Sequence, residues 1–236
     1  MIVVVVFNGL KDLIEDLKRK NSDKDENYRK CLVMNKGTFE EIKWEDVKVG
    51  DIIKVFQNEY FPADIVLINS KKNESRENIE TDGICYVETK NLDGETYLKY
   101  KHSIKRLNNL CKSEKEMAFL NGIIECSKPN EFINDFNGFY ISENNGEKIP
   151  IDKQSLLIRG TSLQETFCVY GIVVYIGFNT KIKKNQFKSR KKKSSNIEKI
   201  MNLQIILIFI FDIFLSFAAA ILALIFYSLN YNVYLY

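Results

Sequence analysis

The chain has 236 residues, 45% of them hydrophobic and 28% charged, and a formal net charge of +3. That length holds one sizeable domain with extensions, and the apolar share suffices for a buried core, which excludes a disulfide miniprotein, a collagen and a disordered tail. With 34 basic against 31 acidic side chains, no global attraction to nucleic acid follows.

Residues 1–7 are apolar but cover about a third of the length a membrane span needs, and they lack the basic leader and cleavage site of a signal peptide. The stretch reads as the cut end of something longer. Leu10, Leu13, Ile14 and Leu17 then recur at helical spacing, with Lys11, Asp12, Glu15, Asp16 and Lys18 on the opposite face. The expectation is the inner end of a membrane helix running into the cytosol, its pattern broken by the polar run 20–30.

Beyond that run the period shortens. Segments 31–34 and 38–43 flank Asn35-Lys36-Gly37 and predict a hairpin. Segments 51–55, 65–69, 84–88, 156–159 and 169–176 are short, rich in Val, Ile and Tyr, and separated by turn residues, which predicts more strands. One helix is expected over 113–120, where Ser113 and Glu116 have capping-box spacing. Segments 71–82 and 134–153 are dense in Asn, Glu and Gly and read as surface loops.

The C-terminal part changes character. Residues 203–229 carry Asp212 as their only formally charged side chain, and a helix of roughly 25 residues at about 1.5 Å per residue crosses a hydrocarbon core about 30 Å thick. Arg190, Lys191, Lys192 and Lys193 precede it, so the bulk of the chain is expected on the cytosolic side. Asp212 is read as lying toward the cytosolic end, where water and partner helices satisfy it, and Tyr227, Tyr231, Tyr234 and Tyr236 as an aromatic belt at the far end. Five dispersed cysteines and the single His102 offer no zinc motif and suit a reducing compartment. The basic run has no interleaved aromatics, so nucleic acid is not an expected partner.

Asp93-Gly94-Glu95-Thr96 lies between the 84–88 strand and the β-prone 97–100. Taken alone, it reads as a tight turn. Its neighbours add to that reading: Lys48-Val49-Gly50-Asp51-Ile52-Ile53, Phe61-Pro62-Ala63-Asp64-Ile65-Val66-Leu67, Cys85-Tyr86-Val87-Glu88-Thr89 and Asn91-Leu92-Asp93-Gly94-Glu95-Thr96. They continue in Cys126-Ser127-Lys128-Pro129-Asn130, Phe136-Asn137-Gly138, Ile158-Arg159-Gly160-Thr161-Ser162-Leu163 and Asn179-Thr180-Lys181. In this order they resemble the actuator domain of a P-type ATPase, and the Asp-Gly-Glu-Thr form resembles the type IV, phospholipid-flipping branch.

The resemblance implies a mainly β actuator domain, of distorted jelly-roll or double-stranded β-helix type, with flanking α-helices. It divides the chain into the end of the second transmembrane helix and its stalk (1–20), the cytosolic actuator domain (21–195), a stalk and third transmembrane helix (196–230) and an exoplasmic tail (231–236). It implies that Glu95 places and deprotonates the water that hydrolyses an aspartyl phosphate, that Gly94 lets the backbone approach the phosphoryl group, and that Asp93 and Thr96 shape the loop. A plain start of the next strand is equally open for Thr96. Lys48 to Ile53 and Phe61 to Asp64 are scaffold, and the Arg159-Gly160 pair, read as a solvated arginine beside a strand end, is left outside the site.

The complete family enzyme uses ATP and Mg²⁺ and moves an aminophospholipid or other phospholipid across a membrane. Its actuator works against phosphorylation and nucleotide-binding domains, often with a glycosylated β subunit. No Asp-Lys-Thr-Gly-Thr phosphorylation motif occurs here, so this polypeptide alone is expected not to hydrolyse ATP. A P-type ATPase with another cargo and a non-catalytic membrane-anchored binding module remain alternatives.

Overall fold

The computed structural model describes residues 2–72, 83–143, 146–189 and 196–230, and the chain divides into two units, Met1–Ser189 and Arg190–Tyr236. The first begins with helix α1 (Ile2–Asn27). Leu10, Leu13, Ile14 and Leu17 are each more than half exposed, so the apolar face legible in the spacing stays open. The polar run from Lys20 does not end this helix, contrary to expectation. Asn, Ser and Asp are weak helix formers, but an ion pair of 3.0 Å from Glu26 to Arg159 ties the last turn to the domain.

Next come β1 (Lys30–Asn35), β2 (Thr38–Lys43), β3 (Ile52–Phe56), β4 (Asp64–Lys71), β5 (Ile84–Glu88), the one-turn helix α2 (Lys90–Asp93) and β6 (Leu98–His102). Short helices α3 (Lys105–Leu110) and α4 (Glu114–Ala118) lead to β7 (Gly122–Cys126), β8 (Gly138–Ser142) and β9 (Lys148–Ile151). The unit closes with β10 (Leu156–Leu157), β11 (Ser162–Gln164), β12 (Cys168–Tyr175) and α5 (Lys181–Ser189).

These strands form a six-stranded sheet in the order β10-β4-β12-β3-β1-β2 and two three-stranded sheets, β11-β5-β6 and β7-β8-β9. Neighbouring strands run antiparallel. The mainly β expectation holds. In the predicted hairpin Asn35 faces Thr38, and Lys36 and Gly37 both take positive φ (+47° and +91°), the pattern of a two-residue type I′ turn.

The large sheet is covered on both faces. On one, Ile65 and Leu67 of β4 pack with Cys85 and Val87 of β5 and Leu163 of β11. On the other, Val66 meets Tyr140 and Ile149 of β8 and β9, while Ile68 meets Met117 of α4. That is why β4 and β12 read as nearly unbroken apolar runs rather than alternating ones.

Gly171, at a register shift in β12, shows how tight the packing is: a Cβ there would sit 2.8 Å from the Val66 carbonyl and 2.9 Å from Ile65 Cδ1. Gly171→Ala is therefore expected to cost about 1–3 kcal/mol in thermal or denaturant unfolding.

The 113–120 helix forms as α4 with its capping box in place. Ser113 Oγ accepts from the Glu116 N–H at 3.3 Å, and Glu116 Oε2 accepts from the Ser113 N–H at 3.0 Å. Ser113→Ala should lower stability by about 1 kcal/mol in the same measurement.

The 134–153 segment is a correction. It holds β8 and β9, and it buries Phe136, Tyr140, Ile149 and Ile151. Its described Asn and Glu residues, Asn134, Asn137, Glu143 and Glu147, lie outside the strands, and their abundance hides a short alternating pattern. The 156–159 strand shortens to two residues, because Arg159 leaves the ladder to bond elsewhere.

The five cysteines are free, four of them buried. They pack as core residues, and burial pushes the Cys31, Cys85 and Cys111 thiols up to about 12.

The second unit is helix α6 (Asn196–Asn230). Its segment Leu203–Ser228 has a mean hydropathy of 2.8, and it is the one helix among the described residues long and apolar enough to cross a membrane. Ser216 Oγ donates to the Asp212 carbonyl one turn back at 2.8 Å. Arg190 to Lys193, Tyr231, Tyr234, Tyr236 and most of the 71–82 loop lie outside the described residues.

Candidate functional site

The Asp93-Gly94-Glu95-Thr96 segment lies in the connection of the β5–β6 hairpin, whose ladder runs from Ile84 opposite His102 to Glu88 opposite Leu98. β5 is pinned by buried Cys85 and Val87 and by β11 on its other edge. The connection starts at buried Thr89, makes the single turn of α2, and seats Leu92 against the second core cluster. Gly94 ends that turn in the left-handed region at φ +79°, a conformation that favours glycine, and a Cβ there would meet nothing within 4 Å.

Asp93 turns back into the loop. Thr89 Oγ1 donates to its two oxygens at 3.0 and 2.9 Å, and the Glu95 N–H donates to it at 3.0 Å. Lys99 Nζ donates to Asp93 Oδ2. Burial alone would raise the Asp93 carboxyl, but these hydrogen bonds outweigh it and hold it down at about 2.

Glu95 turns to the same ammonium; its side chain is 42% exposed, but its Oε2 is shut off from solvent. Its Oε2 lies 2.6 Å from Lys99 Nζ, and the Tyr97 hydroxyl bonds to the same carboxylate, which raises the Tyr97 pKa. Hydrogen bonds to Asp93 and then Glu95 likewise raise that of Lys99.

Thr96 is exposed and precedes β6 by two residues, so it is not the first strand residue. Asp93, Gly94 and Glu95 thus share one rigidly based loop with Thr96 on its outer side. Lys99 and Tyr97 went unread in the sequence. Their signal was faint: a lysine four residues after Glu95 that only the hairpin brings back to the loop.

The scaffold motifs meet elsewhere. Asp64, fully buried, accepts the Arg159 N–H at 2.8 Å and the Lys181 N–H at 2.7 Å. Lys181 is also fully buried, and its ammonium donates to Asn130 Oδ1 at 2.7 Å, the Phe132 carbonyl at 3.0 Å and the Asp135 carbonyl at 2.6 Å. Arg159 is no solvated surface arginine: it is 8% exposed and joined to Glu26. Among the described residues no three His, Cys, Asp or Glu side chains cluster as metal ligands.

Residues 26–186 match the family model of the P-type ATPase actuator domain. Over 221 residues the chain is 37% identical to the phospholipid-transporting ATPase IC of Mus musculus, covering 94% of this chain and 17% of that protein. It is 40% identical over 203 residues to the probable phospholipid-transporting ATPase 5 of Arabidopsis thaliana, covering 86% of this chain and 16% of that one. The chain therefore spans about a sixth of these relatives' length. A solved zinc-transporting PIB-type ATPase in an E2.Pi state is similar over 72% of this chain and 19% of its own, at 12% identity and a TM-score of 0.37, too remote to bear on the fold.

Proposed function

Because this chain belongs to the P-type ATPase actuator-domain family, we propose that it acts as the actuator segment of a phospholipid-transporting pump, helping to hydrolyse an aspartyl phosphate carried by another domain of the longer protein. The carrying observation is Glu95: a carboxylate 42% exposed on a loop whose base is locked by the β5–β6 ladder and by Asp93. Such a carboxylate can orient a water against a phosphoryl group presented from outside and accept its proton. Gly94 leaves the approach beside it free of side chain.

The lipid cargo is inferred from the names of the relatives, phospholipid-transporting ATPases of animals and plants. In this reading ATP and Mg²⁺ act on the phosphorylation and nucleotide-binding domains, the actuator is cytosolic, and a glycosylated β subunit is a further candidate partner. No part of the water-placing step described here needs ATP or Mg²⁺ held by this chain. Helix α6 supplies a membrane anchor by its length and hydropathy. Dephosphorylation would be coupled to lipid movement through α1 and α6, the helices flanking the domain.

The test is phosphoenzyme turnover in the full-length protein. With Glu95 replaced, phosphate incorporated from ATP must persist longer than in wild type, and unchanged decay overturns the role.

A further inference from the structure

Lys99 is the second residue of β6, held in the ladder opposite Val87, so its ammonium hangs from a rigid element. It touches both carboxylates of the loop, Asp93 Oδ2 at 2.5 Å and Glu95 Oε2 at 2.6 Å, with 32% of its side chain exposed. We infer that Lys99 is a positioning residue for Glu95: it holds the carboxylate in place and offsets the repulsion that this acidic loop would meet on approaching a phosphoryl anion. The inference rests on the hydrolytic role proposed for Glu95.

The charge count carries the argument. Asp93 is a fixed anion, because three donors, Thr89 Oγ1, the Glu95 N–H and Lys99 Nζ, hold it in the loop. Glu95 adds a second anion two residues on, so the pair without a counter-charge presents two negative charges to a substrate that is itself negative. Lys99 brings that to one. Its length also decides the geometry, since one ammonium must reach both carboxylates from a strand that cannot shift. Tyr97, 60% exposed, gives Glu95 a second, neutral contact. Glu95 is therefore restrained with its Oε2 shut in against Lys99, while 42% of its side chain stays exposed.

The experiment follows phosphoenzyme decay in the full-length protein at low and high salt. Variants are Lys99→Met, Lys99→Arg and the double variant Lys99→Met with Asp93→Asn, and phosphorylation from ATP reports that each is folded. Lys99→Met should slow decay about tenfold or more at low salt, the scale of one uncompensated charge at short range. The defect should shrink as salt rises, since screening weakens charge repulsion but does not repair a misplaced side chain.

Lys99→Arg keeps the charge with a different donor geometry and should retain decay within about threefold of wild type. The double variant restores the loop's net charge, and the new amide oxygen can still accept from Thr89 and the Glu95 N–H, so it should decay faster than the single variant. Wild-type decay in Lys99→Met, or a double variant slower than the single one, overturns the inference. If Glu95→Gln is slow while Lys99→Met is not, only the inference falls; if Glu95→Gln decays as wild type does, the proposed function falls and takes the inference with it.

Discussion

Glu95→Gln in the full-length protein is expected to slow phosphoenzyme decay by about 10²–10⁴-fold, the range removed with a general base, while phosphoenzyme formation from ATP stays intact. The substitution is nearly isosteric, so water can still be contacted, but no proton can be accepted and no negative charge polarises the attack. Formation is spared because that chemistry belongs to another domain in the proposed reading. Stability should scarcely change: Glu95 is 42% exposed, and its pairing with Lys99 is a partly solvated one, worth about 1 kcal/mol or less. Glu95→Asp should fall between the two, because the carboxylate survives but is drawn back by one methylene. A chase of labelled phosphoenzyme measures all three. Normal formation followed by wild-type decay in Glu95→Gln would remove Glu95 from the mechanism.

Asp64→Ala should destabilise the first unit by about 2–5 kcal/mol, the cost of stripping two buried backbone N–H groups of their acceptor. The fully buried carboxylate accepts two backbone N–H groups, of Arg159 and Lys181, that lie 95 and 117 positions away in sequence. Alanine leaves both donors buried without a partner, at roughly 1–3 kcal/mol each before relaxation. It also removes one of the acidic groups, Asp135 being another, whose charge acts on Lys181, a lysine whose pKa burial already lowers.

The pH dependence has a definite sign. Burial raises the Asp64 carboxyl from 3.8 to about 6, against the opposing hydrogen bonds from Arg159 and Lys181. Protonation is therefore easier in the folded chain than in the unfolded one. The Asp64 contribution to stability is fully present below about 4 and declines as pH rises through 6. Denaturant titrations of wild type and Asp64→Ala at pH 5 and pH 7 check both statements; a difference below about 1 kcal/mol at pH 5 would show that the two N–H groups find other acceptors.

Several elements were legible because their signals are local. The Lys36-Gly37 turn needs positive φ at both positions, and a glycine after the polar pair Asn35-Lys36 announces it. The α4 capping box is written in two residues three apart. Strands β1, β2 and β5 show residue types that suit a half-buried sheet, and the apolar run of α6 is set by composition alone.

The misreadings have the opposite origin. β8 and β9 looked like a loop because Asn, Gly and Glu outnumber the few alternating apolar residues, and burial against Val66 on the large sheet is what turns them into strands. The end of α1 looked like a break because its residues are poor helix formers, and Arg159 decides otherwise from 133 positions away. Arg159 itself looked like surface, since nothing in its neighbourhood names Asp64 or Glu26 as partners.

The candidate site divides along the same line. Motif order pointed to Asp93, Gly94, Glu95 and Thr96, and short-range chemistry was enough for the glycine turn between them. What no linear pattern could supply was the convergence of Asp93 and Glu95 on the one ammonium of Lys99, with the Glu95 side chain left partly exposed. Turns, caps and apolar runs are governed by neighbours a few residues apart and so can be read along the chain. The direction and pairing of a charge depend on which strand folds back beside it, and that is settled when the sheets pack.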